Sequence, residues 1–562
     1  CVLANRLSAD PRNRVLLLEA GGNDHWIWFH IPVGYLFAIG NPRADWMFKT
    51  GPEAGLGGRS IAYPRGRVLG GCSAINAMIY MRGQREDYDG WKATGLSGWG
   101  WDDVLPFFKK HEDHFRPDGD FHVAGGEWRI EPPRVSWDLL DRFIEAAEQA
   151  GIPRTEDFNR GNNFGCGYFH VNQKNGRRFS AARGFLKPVL NRPNLVVQTE
   201  AGVEKIVIEQ GRATGVRYRL KNGALREVHA RAEVVLSAGA INSPHLLQLS
   251  GIGPGAELSK NGVPVLLDAP GVGANLQDHL QIRPIYKVSG VKTLNTEYQS
   301  LFNRAVMGLD YLFRRKGPLT MAPSQLGAFT MSSPEQRRPN LQFHIQPLSL
   351  DKFGDPLHSF PAFTASVCNL RPESRGEVML DGPQIQRQPR IAPHYLTAEA
   401  DRQVAADALR VIRHVVSQPA LAPFQPQEYR PGAHLVSDED LAIGAGAVAS
   451  AESGAVGEDA DFAAMHRRPR RELGLGLSHG MRRVVDALEH GNPLVGVCEG
   501  LHVDCRCAVE PLDGFVVAAH VGKDVRVGIP DAAGPGICRG RRQFRALERR
   551  QSRIPLPQIG AG

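Results

Sequence analysis

Residues 66–83, GRVLGGCSAINAMIYMRG, hold the densest chemistry in this chain. Gly70 and Gly71 form a pair with basic residues on its flank, followed by Cys72, Ser73 and the run Asn76, Ala77, Met78, Ile79. Paired glycines let backbone approach a flat or phosphorylated ligand where a side chain would collide. Exposed amides in such a turn also hold an anion. A tight loop without a ligand would use the same pair, so the string needs independent support.

Two further stretches supply it. Residues 239–253, GAINSPHLLQLSGIG, follow the apolar run Val234, Val235, Leu236 and the small pair Ser237, Ala238. A buried strand, a small-residue turn and Pro244 near the start of an apolar helix is the order of a dinucleotide-binding fold. Near the beginning, Val15–Leu18 predict a buried parallel strand, and Glu19 follows it directly. An acidic residue at such a strand end accepts hydrogen bonds from adenosine ribose hydroxyls in FAD- and NAD-binding folds. A solvated strand-end glutamate is the alternative.

The two long strings resemble the two signatures of the glucose–methanol–choline (GMC) flavin oxidoreductases. AYPRGR at 62–67, GWGWDDVLPFFKKHE at 98–112, PGVGANLQDH at 270–279 and LRPESRGEVML at 370–380 resemble the same family in the same order. The resemblance implies an FAD-dependent oxidation of an alcohol, with the hydride moving to the flavin. It implies cofactor contacts from Glu19, Val68, Gly71, Asn76, Ala77, Met78, Ile79 and the main chain of Val203. The motif carries Asn76 and no histidine of the kind that links flavin in some relatives, which implies non-covalent FAD. A small-molecule alcohol, choline-like or another primary alcohol, is the implied substrate. Likeness to dehydrogenase members suggests an acceptor other than oxygen, while neither the acceptor nor a dehydrogenase over an oxidase is fixed by the sequence. The implied fold class is α/β and α+β: a discontinuous, doubly wound FAD-binding domain joined to a substrate domain of antiparallel sheet and helices.

Both ends depart from the family pattern. A G-x-G-x-x-G phosphate turn is expected just before Cys1, so the chain reads as a fragment that binds FAD poorly. From Leu441 onward the aromatic residues are Phe462, Phe515 and Phe544, and Arg-rich strings such as HRRPRREL at 466–473 appear. A packed core needs more large apolar side chains than this. The tail, 437–562, is read as aberrant, out-of-frame or disordered. The family's H-P-V-G-T and N-T-N-A-P strings are absent from it. His466 and His479 lie in the right region without the flanking residues, so no catalytic residue is assigned, and an inactive fragment is the alternative to an active enzyme.

Composition narrows the rest. The apolar fraction of 42% and charged fraction of 22% are those of a globular protein. No apolar run reaches the length of a membrane span. The formal charge of +8 is spread along the chain, so no nucleic-acid partner is expected. Cys505 and Cys507 form C-x-C beside His502; zinc needs four well-spaced ligands, and no metal is expected. Cys72, Cys166 and Cys368 are widely separated and read as packing thiols of a reducing, cytoplasmic compartment.

Periodicity then places the supporting elements. Segments 1–83 and 181–285 alternate strand and helix and are read as the FAD-binding domain. Residues 194–220 predict hairpin strands. Segment 84–180 is read as a cap insertion, with an amphipathic helix at 137–151 whose stripe is Leu139, Leu140, Phe143, Ile144 and Ala147. Segment 286–436 is the substrate domain: adjacent strands at 339–347 and 363–372, and a helix at 397–416 starting from a Thr397 cap. His344 and Gln346 face either the substrate or the far side of that sheet.

Overall fold

Val15, Leu17 and Leu18 are buried in the strand Asn13–Leu18, at the centre of a nucleotide-binding-type sheet. The computed structural model describes residues 1–351, 355–451 and, as backbone, 514–520. These lie in one unit, Cys1–Val521. Asn13–Leu18 runs parallel to Leu195–Gln198, with Val15 opposite Leu195. On its other side it pairs antiparallel with Gly514–His520, which also pairs with Glu233–Ser237. The expected parallel sheet is therefore mixed, and a segment of the tail lies inside it. The helix Val2–Leu7 buries Ala4 against Val15, Leu17, Leu195 and Val235.

The helix after Glu233–Ser237 spans Gly239–Leu249 and is buried along nearly its whole length. It begins at Gly239, so Pro244 lies mid-helix rather than near the start. Proline there forfeits one backbone bond to the carbonyl four residues back. Separately, at the helix entry, Ser243 Oγ accepts from Ala238 N at 3.2 Å and satisfies that donor. The hairpin Ala201–Glu209 and Arg212–Leu220 turns at Gln210 and Gly211, both with positive φ, the geometry that matches strand twist.

The second layer is an antiparallel sheet with, among the described residues, eight strands. Its path runs Gln427–Arg430, Ile285–Lys287, Ala362–Asn369, Leu341–Gln346, Leu326–Thr330 and Gly165–Tyr168. Leu280–Ile282 pairs with both Ala362–Asn369 and Ala449–Ala451. The helices Asp138–Gln149 and Glu399–Val416 bury their apolar stripes in one core with Leu341, Phe343, Ile345, Phe363 and Val367. Burying each such side chain contributes about 1.5–3 kcal/mol.

Three local features add to the sequence reading. From segment 84–180, strand Gly165–Tyr168 pairs into the second sheet and helix Asp138–Gln149 packs in its core. Within the segment read as tail, Ser437 caps the helix Asp438–Val448 by accepting from Asp440 N at 3.1 Å, and that helix buries Leu441, Ala442 and Ala445. Thr397 is not a helix cap. Its hydroxyl donates to His394 O at 2.8 Å, and the helix starts at Glu399. His466, His479, His502, Cys505 and Cys507 lie outside the described residues.

Candidate active site

The strand Asn13–Leu18 delivers Glu19 into the interior, where Oε1 accepts from Gly21 N at 2.7 Å. Gly21 permits a close crossing: a Cβ there would lie 2.0 Å from Arg67 O. Gly22 bridges to Val68, and Leu69 N donates to Gly22 O at 2.9 Å. The GRVLGG turn is thus laid across the end of the Glu19 strand. Gly70 and Gly71 take φ of 97° and 55°, conformations that favour glycine. A short helix, Gly71–Ala74, follows. Ser73 Oγ fixes it by donating to Gly70 O at 2.6 Å and accepting from Ala181 N at 2.9 Å.

Asn76 closes the next turn, its Oδ1 accepting from Met78 N at 3.0 Å. Met78 sits at φ 61°, an uncommon conformation for a non-glycine residue, and its carbonyl accepts from Asn172 N at 2.7 Å. Ala77 and Ile79 pack with Phe158, Phe169 and Phe329. Val203, on the neighbouring hairpin, is buried, and that hairpin meets the Glu19 strand end where Ala201 N donates to Glu19 O at 2.9 Å. Glu19, Val68 and the hairpin of Val203 thus meet at the end of one strand, and the chain runs on from Gly71 to Asn76–Ile79.

Buried cations that sequence reasoning missed stand beside this turn. Arg178 Nη1 donates to Ser73 O at 3.2 Å and Asn76 Oδ1 at 3.0 Å. Its Nε and Nη2 are buried and meet no protein acceptor. Burial lowers the guanidinium to about 9, partly opposed by Tyr35, so it stays charged at neutral pH. Burial likewise lowers Arg283 to about 10. The Tyr35 phenol is pushed up by burial, against the pull of Arg283 and Arg178. The desolvated Arg178 guanidinium beside Asn76 can stabilise negative charge on a bound group, which is what an electron-accepting ring requires. The glycine crossing and the orphaned Arg178 donors both fit FAD. Basic residues in an Arg-rich string give no signal of their own; only the fold brings Arg178 to Asn76.

The sheet resolves the two faces of Leu341–Gln346. Leu341, Phe343 and Ile345 point into the helix-covered core, so alternation sends Gln342, His344 and Gln346 to the other side. There the His344 ring lies 5.4 Å from Phe169, which itself packs on Ala77 and Ile79. Gln346 Nε2 donates to Ser324 Oγ at 3.1 Å. Gln342 is buried with no protein partner for either amide atom. His344 and Gln346 therefore share the side of the 66–83 motif, and Gln342 joins them.

A second polar cluster also escaped the sequence. Glu112, His114 and His122 bring ligand-type atoms within 4.8 Å of one another. His122 Nδ1 lies 2.7 Å from Glu112 Oε1 and its Nε2 2.9 Å from Asp157 Oδ2, while Arg82 Nη2 pairs with Glu112 at 3.0 Å. The His114 and His122 rings stack at 3.8 Å. With Arg82 neutralising Glu112 and both His122 nitrogens engaged, the cluster is a closed hydrogen-bond network.

Comparison with known proteins agrees with this architecture. GMC oxidoreductase family profiles match residues 38–281 and 372–461. The chain is 39% identical over 444 residues to an alcohol dehydrogenase [acceptor] of Pseudomonas putida, covering 78% of this chain and 80% of that one. It is 38% identical over 448 residues to the mitochondrial choline dehydrogenase of Homo sapiens, covering 78% and 75%. Among solved structures, an FAD-dependent oxidoreductase from Chaetomium thermophilum superposes with a TM-score of 0.73 at 26% identity, covering 80% of this chain and 86% of that one. The glycine crossing, the buried arginines and these likenesses converge: the chain belongs to the GMC oxidoreductases, enzymes of alcohol oxidation.

Proposed function

We propose that this protein oxidises a small primary alcohol with non-covalently held FAD, passing the electrons to an acceptor other than oxygen. The observation that carries the reading is Arg178, a buried cation with two unsatisfied donors held against Asn76 of the 66–83 turn. Bound FAD would supply the two-electron acceptor for the carbinol hydride. Glu19 would hold the adenosine ribose and Val203 main chain the adenine. The Gly21–Val68 crossing and Gly71 would admit the cofactor backbone-close, and Asn76, Ala77, Met78 and Ile79 would flank its ring. Arg178 would favour negative charge on it. Gln342, His344 and Gln346 would face the alcohol. A cytoplasmic location belongs to the same proposal.

The test is to load the protein with FAD, denature it, and assay a panel of primary alcohols including choline, with a dye acceptor and with oxygen. Flavin released into the supernatant and dye-dependent turnover are expected. Flavin that stays with the precipitate overturns non-covalent binding. Bound flavin without turnover of any alcohol overturns the activity, and failure to bind FAD favours an inactive fragment.

A further inference from the structure

The helix Leu301–Arg314 is turned inside out. A surface helix ordinarily buries its apolar stripe and exposes its polar one. Here Tyr311 is buried and Asn303, Met307 and Asp310 are half-buried, whereas Leu301, Phe302 and Phe313 are 77%, 76% and 78% exposed. Val306, Leu309 and Leu312 are exposed with them. Phe302, Val306, Leu309 and Phe313 follow the i, i+4, i+7, i+11 spacing of one helix face.

The ends of this face are basic. Arg304 is exposed on the helix, and Arg315 and Lys316 follow its end, where Arg314 is paired with Asp310 at 3.1 Å. Beside that end lies a cavity of about 330 Å³ lined by Lys174, Asn175, Arg177, Phe179, Arg183 and Arg315. It presents four cations and no carboxylate. Burial and the neighbouring Arg177 hold the Arg183 guanidinium below its ordinary range, against the opposing pull of Asp24 and Tyr311.

We propose that the Leu301–Arg314 helix and the adjoining basic cavity dock the protein on an anionic phospholipid surface. The apolar face would enter the headgroup–acyl boundary while the cations meet lipid phosphates. A second copy of the chain fits less well, since a two-fold contact through this face would bring like-charged rims together. Among the described residues no helix is long and apolar enough to cross a membrane, so the attachment is peripheral. This proposal stands on surface features and does not depend on the reaction proposed above.

The experiment is flotation of the full chain with vesicles of phosphatidylcholine alone or with 30% phosphatidylglycerol, at low and high salt. We expect binding to the anionic vesicles, weakened at least tenfold in the double variant F302S/F313S and made salt-insensitive and weak in R177S/R315S. Both variants keep the circular dichroism of the parent, because the residues changed contribute little to its core. Equal binding by F302S/F313S and parent overturns the proposal, as tail arginines would then suffice. No binding by the parent also overturns it. So does a parent dimer that F302S/F313S converts to monomer without any vesicle binding, which would make the face an interface between copies.

Discussion

Arg178 and Asn76, 102 positions apart, meet at 3.0 Å through Nη1 and Oδ1. The same oxygen holds Met78 N, so one amide joins a buried cation to the strained turn of the glycine motif. A buried guanidinium with two orphaned donors costs stability unless a ligand accepts from it. Arg178→Met is therefore expected to leave the cofactor-free protein as stable as the parent, or more so, while weakening FAD binding about tenfold or more. Thermal unfolding and flavin-fluorescence titration check the two halves separately.

Gly21 and Gly22 give opposite expectations. A methyl at Gly21 meets Arg67 O at 2.0 Å, whereas one at Gly22 meets nothing within 4 Å. Gly21→Ala should push the 66–71 turn away, costing about 3 kcal/mol or more of stability together with FAD affinity. Gly22→Ala should stay within about 0.5 kcal/mol of the parent. Urea unfolding of both variants reads this contrast.

Leu139 and Leu409 sit on different helices but share one core. Each truncation to alanine is expected to cost about 2–5 kcal/mol. Both should shift the same cooperative transition. A separate low-stability transition for Leu139→Ala would show that segment 84–180 unfolds as an independent cap.

Acid should destabilise the fold before carboxylates titrate. Burial lowers His30, His111, His170 and His245 to about 4 each. The unfolded chain then binds more protons than the native state below its histidine value of about 6.5, so stability falls as pH drops from there towards 4. His122 has the opposite sign: although burial opposes it, hydrogen bonds to Asp157 and Glu112 raise it, so its contribution is full in acid and fades as pH rises through the raised value. Melting temperatures at pH 7, 6 and 5 should decline, and His170→Gln should flatten the decline by up to about 1.4 kcal/mol per pH unit.

Local order was legible in the sequence wherever one face of one element carried the signal. The stripe Leu139, Leu140, Phe143, Ile144 and Ala147 located the helix Asp138–Gln149 to within two residues, because i, i+3 and i+4 positions share a face whatever the partner. The same reasoning placed Asn13–Leu18 with Glu19 at its end, and the two adjacent strands of the second sheet. The start of the Gly239 helix was missed because Pro244 looks like a first-turn residue, yet surrounding burial tolerates its missing bond. Thr397 has the type of a cap, but its hydroxyl satisfies His394 O instead.

The strings around Gly70 and Gly251, by themselves, pointed to the family, since each is a contiguous run whose residue order is read without any tertiary contact. Tertiary structure alone decided that Arg178 reaches Asn76, that His344 shares a side with Ala77 and Ile79 through Phe169, and that strand Gly165–Tyr168 joins the second sheet. It also decided that the apolar stripe of Leu301–Arg314, which any sequence reading would send to the core, is turned outward. The reason is physical: periodicity states that an element has an apolar face, whereas the direction of that face is set by contacts between residues far apart in the chain.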